Sequence, residues 1–272
     1  MPNTPEWIAL SLVPMMGGKR MRALLDHFGS AGAVLRANHA DLCQVSGIGN
    51  GIADSITRVN LSAVERTLTG WRKNGLRVLA WDDPDYPARL KAIEDAPPTL
   101  FVSGDIAPHQ ITEKRHVAIV GTRQPSAQSA ETTRTFAFEL ARRGIVIVSG
   151  LALGTDTNAH LGALAAPDGV TLAVLGGGVW NIYPPQNRPL AEAVRKRGAL
   201  IAETPPNAEP KATHLVARNR LISGISDAVI VIETSISGGA MYAARRAREQ
   251  GKPVYALDLP VDGNRMLIDE EG

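Results

Sequence analysis

The stretch from His116 to His160 limits the possible folds more than any other part of the chain. It opens with His116-Val117-Ala118-Ile119-Val120-Gly121-Thr122-Arg123 and closes with Ile145-Val146-Ile147-Val148-Ser149-Gly150-Leu151-Ala152-Leu153-Gly154-Thr155-Asp156. Each end is a short β-branched apolar run that stops at glycine and hydroxyl residues. Such runs suit strands buried on both faces of a parallel sheet. Between them, residues 126–143 carry Phe136, Leu140 and Ala141 at helical spacing. Strand, helix and strand make a right-handed crossover unit. Both loops then leave the carboxyl ends of neighbouring strands, where open α/β sheets bind ligands. Glycine there admits a ligand to the backbone, and the helix start that follows favours an anion. The pattern predicts a phosphate-binding crevice.

Two common nucleotide fingerprints are missing. Gly121-Thr122-Arg123-Gln124-Pro125-Ser126 follows the first strand in place of G-x-G-x-x-G, and G-x-x-x-x-G-K-[ST] occurs nowhere. A dinucleotide or ATP reading loses its main support. Arg123 also adds a full charge where such folds normally present backbone alone. With 29 Lys and Arg against 27 Asp and Glu, the net charge is only +2, so any electropositive site must be local.

Residues 1–74 read as short helices, and 75–272 as strands alternating with helices. This predicts a doubly wound, mostly parallel α/β sheet behind a small helical domain. Within the first segment, Leu42, Val45, Ile48, Ala53 and Ile56 form an apolar set around a turn containing Gly47 and Gly49. That arrangement resembles a helix–hairpin–helix, whose amides can grip a DNA phosphate; a plain helical hairpin kept for packing is the simpler alternative. The single cysteine, Cys43, allows no internal disulfide and suits a reducing compartment. The apolar run 7–16 follows Glu6 and precedes Lys19 and Arg20, the reverse of a signal-peptide charge order. No apolar run reaches the ~20 residues of a membrane span. A cytoplasmic protein without a membrane partner is expected.

Four loops are expected to converge at the carboxyl edge: Gly121 to Arg123; Ser149, Gly150, Leu151 and Gly154; Gly176 to Gly178; and Ser237, Gly238 and Gly239. A basic segment, Lys211 to Arg220, joins them and contains His214, Leu215, Arg218 and Asn219 but no acid. Backbone amides with Arg123 and Arg218, and with Arg220 where it faces the same ligand, would hold two or more phosphates, and the segment would orient the strand. Catalytic readings are weaker. His160 follows Asp156 by four residues, as an acid–base pair or as ordinary helix; Asp156 more simply fixes the glycine turn. Glu203 and Glu233 end strands without a paired acid nearby in sequence. No Cys/His cluster has metal-ligand spacing, and no G-x-S-x-G elbow is present. Neither a catalytic residue, nor a metal, nor a cofactor is expected.

The ordered motifs resemble the DNA-processing protein A family (DprA, also called Smf). They begin with Tyr86-Pro87-x-x-Leu90-x-x-Ile93, Pro97-Pro98-x-Leu100-Phe101 and Val117 to Arg123. They continue through Ser149-Gly150-Leu151-Ala152-x-Gly154-x-Asp156-x-x-Ala159-His160, Ala173-Val174-Leu175-Gly176-x-Gly178 and Tyr183-Pro184-x-x-Asn187, and end with Arg218 to Gly224 and Ser237-Gly238. The resemblance implies an extended Rossmann-like fold behind a sterile-alpha-motif-like helical domain. It implies a non-enzyme that binds single-stranded DNA and passes it to the RecA recombinase in transformation and recombination, usually as a dimer. The apolar run Met266, Leu267 and Ile268 is the expected dimer surface; packing on the last strand is the alternative. The sequence departs from the family pattern at Leu215-Val216, where Phe-Pro is usual, and at Gln124, where lysine is usual. It also has no winged-helix segment before its last residue. A mononucleotide enzyme of the phosphoribohydrolase kind is the rival, but its P-G-G-x-G-T-x-x-E motif is missing. A sensor of a nucleotide signal is a third possibility.

Overall fold

The computed structural model describes residues 5–269, without side-chain detail at 108 and 109. The chain divides into two compact units, Met1–Tyr86 with Lys91–Leu100, and Pro87–Leu90 with Phe101–Gly272. Glu270 and Glu271, beside the expected dimer surface, lie outside the described residues.

The first unit holds helices Pro5–Ser11, Gly18–Phe28, Ala31–Arg36, His39–Cys43, Asn50–Thr57 and Leu61–Lys73, then strand β1, Arg77–Ala80. The predicted hairpin forms. Leu42, Val45, Ile48, Ala53 and Ile56 are all buried, and Gly47 turns the chain at φ +80°, a conformation costly for a residue with a Cβ. Residues past 74 join this unit through tryptophan: Trp81 packs edge-on against Trp7 with centroids 5.5 Å apart, and its Nε1 donates to the Pro97 carbonyl at 2.8 Å.

The second unit is built on the larger part of strand β2 (Thr99–Ser103, which enters the unit at Phe101) and on β3 (His116–Val120), β4 (Val146–Ser149), β5 (Thr171–Leu175), β6 (Ala199–Ala202), β7 (Ala228–Val231) and β8 (Val254–Ala256). Their order is β2-β6-β5-β4-β3-β7-β8. Only β2, which pairs with β6, runs antiparallel. From β3 the sheet first winds outward through β4, β5 and β6, then β7 returns to β3's free side. The switch point of this doubly wound sheet therefore lies between β3 and β7. Beneath it, Ile119, Ile147 and Ile232 pack against Ala137, Ala141, Ala159 and Ala163. These alanines come from helices Ala127–Ala141 and Thr155–Ala165. Small residues let the two helices approach closely: a Cβ at Gly162 would overlap the Arg134 carbonyl.

At the amino ends of β3 and β7, the His116 amide donates to Asp227 Oδ2 at 2.8 Å, and Asp227 pairs with Arg89 at 2.5 Å. The His116 ring is buried. Burial, with help from Arg89, pushes its pKa down to about 4.

The segment expected to be a dimer surface is only partly on the surface. Leu267 is buried within helix Asp262–Asp269, where its amphipathic face meets the unit's own core. Met266 is half-buried and Ile268 exposed. Leu267 therefore packs inside, as its alternative reading had it.

Candidate functional site

The loops after β3, β4 and β7 meet where the switch point lies, and a set of hydrogen bonds holds them together. The Thr122 amide donates to the Glu233 carbonyl at 2.7 Å, and the Thr155 amide to the Thr122 carbonyl at 3.1 Å. Glu233 also accepts from the Ser126 amide through Oε2 at 3.1 Å, so this strand-end carboxylate braces a loop. Ser126 in turn caps helix Ala127–Ala141. Gly121 and Gly154 are glycine for lack of room: a Cβ on either would run into Thr155 or into the backbone of Thr122 and Arg123. Gly154 additionally has φ +79°.

The β4 loop is closed from the inside. Leu151 is buried in a left-handed conformation, φ 60°, which costs a non-glycine residue energy that its surroundings must supply. Those surroundings are three buried polar side chains. Asp156 Oδ2 accepts from the Gly150 amide at 3.1 Å and the Ala152 amide at 3.3 Å. Asn187 donates to the carbonyls of Leu151 and Ala152 at 2.9 and 3.2 Å and to Thr157 Oγ1 at 2.9 Å. Arg218, only 6% exposed, sends Nη1 to the Gly150 carbonyl at 2.6 Å and to the Val174 carbonyl. Burial raises the Asp156 carboxyl, opposed by the nearby Arg218 charge; burial likewise lowers Arg218, opposed by Asp156. Ser149 Oγ donates to the Ile119 carbonyl at 2.7 Å.

Several sequence expectations change here. Gly150 offers no amide to a ligand, because Asp156 takes it. Arg218 lines the crevice, but its guanidinium is turned to backbone carbonyls. Arg220 points elsewhere and pairs with Glu203 at 2.6 Å, which also gives that strand-end acid its partner. The Gly238 amide is used as well, donating to the Ser235 carbonyl at 2.9 Å. His160 does not pair with Asp156. Thr171 Oγ1 donates its proton to the Ile147 carbonyl, so His160 Nδ1 must donate to Thr171 Oγ1 at 2.8 Å. Complete burial, with Arg218, pushes this histidine down to about 3.

What stays open is a hollow of about 530 Å³ walled by the β3 and β7 loops and the segment from Ala212 to Ile222. Arg123 is exposed at its mouth and has no hydrogen bond or ion pair among the described residues. Lys211 is exposed just before helix Ala212–Ala217. Gly238, Gly239 and Ala240 line the hollow at the start of helix Gly239–Glu249, which has no side-chain cap. Uncapped first-turn amides and the helix dipole favour an anion. Asn219 lies beside them, donating to the Gly239 carbonyl at 3.1 Å, while Ser237 is exposed on the loop. His214 is half-buried, and Leu215 is half-buried against Gly176, where a Cβ would overlap it.

Sequence reasoning gave no role to Asn187, to Asn264 or to Tyr183. Buried Asn264 accepts from the Thr234 amide at 2.8 Å and donates to the carbonyls of Ile232 and Leu257 at 2.8 and 2.9 Å, tying down the β7 loop. Tyr183 is exposed and lines the hollow. Two of the three were within reach: Tyr183 and Asn187 stand together in the motif Tyr183-Pro184-x-x-Asn187.

A doubly wound sheet with a cation and an uncapped helix start at its switch point defines a Rossmann-like protein whose crevice has the features that favour an anion. The model of the family described as DNA recombination-mediator protein A matches residues 77–271. The chain belongs to that family. It is 36% identical over 255 residues to Protein Smf of Synechocystis, covering 92% of this chain and 63% of that protein. It is 34% identical over 265 residues to Protein Smf of Escherichia coli, covering 96% of this chain and 68% of the relative. The chain thus spans about two thirds of the length of the curated relatives it matches. Among solved structures, DNA processing protein A of Streptococcus pneumoniae superimposes with a TM-score of 0.84 at 28% identity, over 99% of this chain and 94% of that one. DNA processing protein A from Helicobacter pylori, whose structure concerns its single-stranded DNA binding mode, matches with a TM-score of 0.65 at 31% identity, over 72% of this chain and 88% of that one.

Proposed function

We propose that this chain binds single-stranded DNA in the switch-point crevice and acts in DNA processing for transformation and recombination. The observation that carries the reading is Arg123, which is exposed, has no hydrogen bond or ion pair among the described residues, and lines the same hollow as the uncapped helix start at Gly239. A phosphodiester answers both groups at once. Lys211 extends the positive path. Arg218 contributes by shaping the loop from behind. Family membership and the Helicobacter pylori relative support a single strand over a mononucleotide.

In this reading the protein is a binder and not an enzyme: the carboxylates and histidine that first suggested catalysis, Asp156, Glu203, Glu233 and His160, each make an internal bond that braces the fold. Delivery of the strand to RecA, a homodimer and a cytoplasmic setting complete the proposal. Among the described residues no helix is long and apolar enough to cross a membrane. The exposed Ile268 with Met266 is the surface left for self-association, and Ile268→Glu should give a folded monomer by light scattering.

Titration with oligo-dT of graded length tests the binding reading. Affinity should rise with length, and single-strand binding loses about 0.7 in log K per log salt for each phosphate neutralised. Two exposed cations, Arg123 in the crevice and Lys211 just before the segment that walls it, then contribute roughly −1.4 to the slope. Saturation by a mononucleotide with no gain from added length would favour the enzyme or sensor reading.

A further inference from the structure

We propose that Tyr183 is the base-stacking platform of the crevice, a role that rests on the single-stranded DNA reading above. Its ring is 44% exposed, and it lines both the main hollow and a side cleft of about 50 Å³ that it shares with Arg123, Leu153 and Leu215. It is the one aromatic residue among the described residues lining either space. Its hydroxyl has no hydrogen-bond partner among the described residues, so no polar bond of its own ties the ring to the fold. The backbone beneath it is held: Ile182 and Pro184 are buried, the Asn187 amide donates to the Pro184 carbonyl at 3.0 Å, and the Asn187 side chain is bonded to the β4 loop.

The chemistry at the cleft matches one nucleotide. Arg123 supplies the charge for a phosphate, and Tyr183 supplies a π-face for the attached base. Leu153 and Leu215 add aliphatic walls but no stacking surface. His214 does not compete well, because its Nδ1 is buried and it lines neither space. An aromatic face accepts any base, so this contact brings preference for unpaired DNA without preference for sequence. A paired base has its faces covered by its neighbours and cannot use it.

The test compares wild type with Tyr183→Ala, Tyr183→Leu and Tyr183→Phe on three probes of equal length: oligo-dT, an abasic oligonucleotide and a duplex. Loss of one stacking contact should weaken oligo-dT binding by about five- to a hundredfold in the Ala and Leu variants. Tyr183→Phe should bind oligo-dT as wild type does. Affinity for the abasic strand and the duplex should not change, nor should the salt slope on oligo-dT. The proposal is overturned if the Ala and Leu variants bind oligo-dT normally, or if they lose the abasic strand equally, which would mark Tyr183 as a loop support. A wild-type protein that binds none of the probes would instead sink the single-stranded DNA reading itself.

Discussion

The loop after β4 and the loops after β3 and β7 flank one crevice, yet they use their polar groups in opposite ways. Around Gly150 to Gly154, amides and carbonyls are consumed by Asp156, Asn187 and Arg218, all buried. At Arg123 and at the start of helix Gly239–Glu249, charge and amides are left toward the hollow. A buried arginine bonded to carbonyls is part of the scaffold, because removing it strands acceptors in a dry interior. An exposed arginine without a partner costs the fold little to lose and is available to a ligand. The contrast separates two residues that the sequence had put in the same role.

The largest expected effect breaks the buried side. Arg218→Ala leaves the Gly150 and Val174 carbonyls without their donor and Asp156 without a nearby cation, and should destabilise the protein by about 3–5 kcal/mol in chemical denaturation. Gly150→Ala should do comparable damage, since its Cβ would occupy the place of the guanidinium. A normal denaturation curve for Arg218→Ala would return that residue to the ligand side.

Acid is a second probe of the buried half. His160 and His116 stay neutral in the fold, with values near 3 and 4, while the unfolded chain protonates both near 6.5. The unfolded state therefore binds more protons below that pH, and stability falls as pH drops from 6.5 toward 4. Each histidine contributes roughly 1.4 kcal/mol per pH unit through most of that window. His160→Gln should flatten part of the slope. A stability independent of pH between 6.5 and 4.5 would contradict both burial assignments.

A smaller effect separates the two faces of the last helix. Leu267→Ala should cost about 2–4 kcal/mol of stability as a buried leucine, whereas Ile268→Ala should change stability by no more than about 0.5 kcal/mol, as a surface substitution. Equal effects on thermal unfolding would place both residues on the same side.

Much of the fold was legible before any coordinates. β-branched apolar runs ending in glycine mark β3 and β4, and the apolar set from Leu42 to Ile56 marks the helical hairpin, because period and turn chemistry are local. The site was legible as a set of loops and less so as a set of roles. Arg218 and Arg220 are two residues apart in a segment without acids, and nothing nearby says that one meets Gly150 and Val174 while the other meets Glu203. Asn187 and Asn264 brace loops some thirty residues away in sequence, and such side-chain-to-backbone bonds leave no periodic trace. Leu267 was misplaced for a related reason: an apolar run on a short terminal helix looks the same whether it covers the chain's own core or another copy.

The most direct test of the contrast is Arg123→Ala, read by oligo-dT affinity and thermal unfolding on the same sample. Losing one charge-assisted contact of about 1.5–3 kcal/mol should weaken binding on the order of ten- to a hundredfold, with the salt slope about 0.7 shallower and the melting temperature unchanged. Unchanged affinity, or a lost thermal transition, would contradict the assignment of Arg123 as the open cation of the crevice.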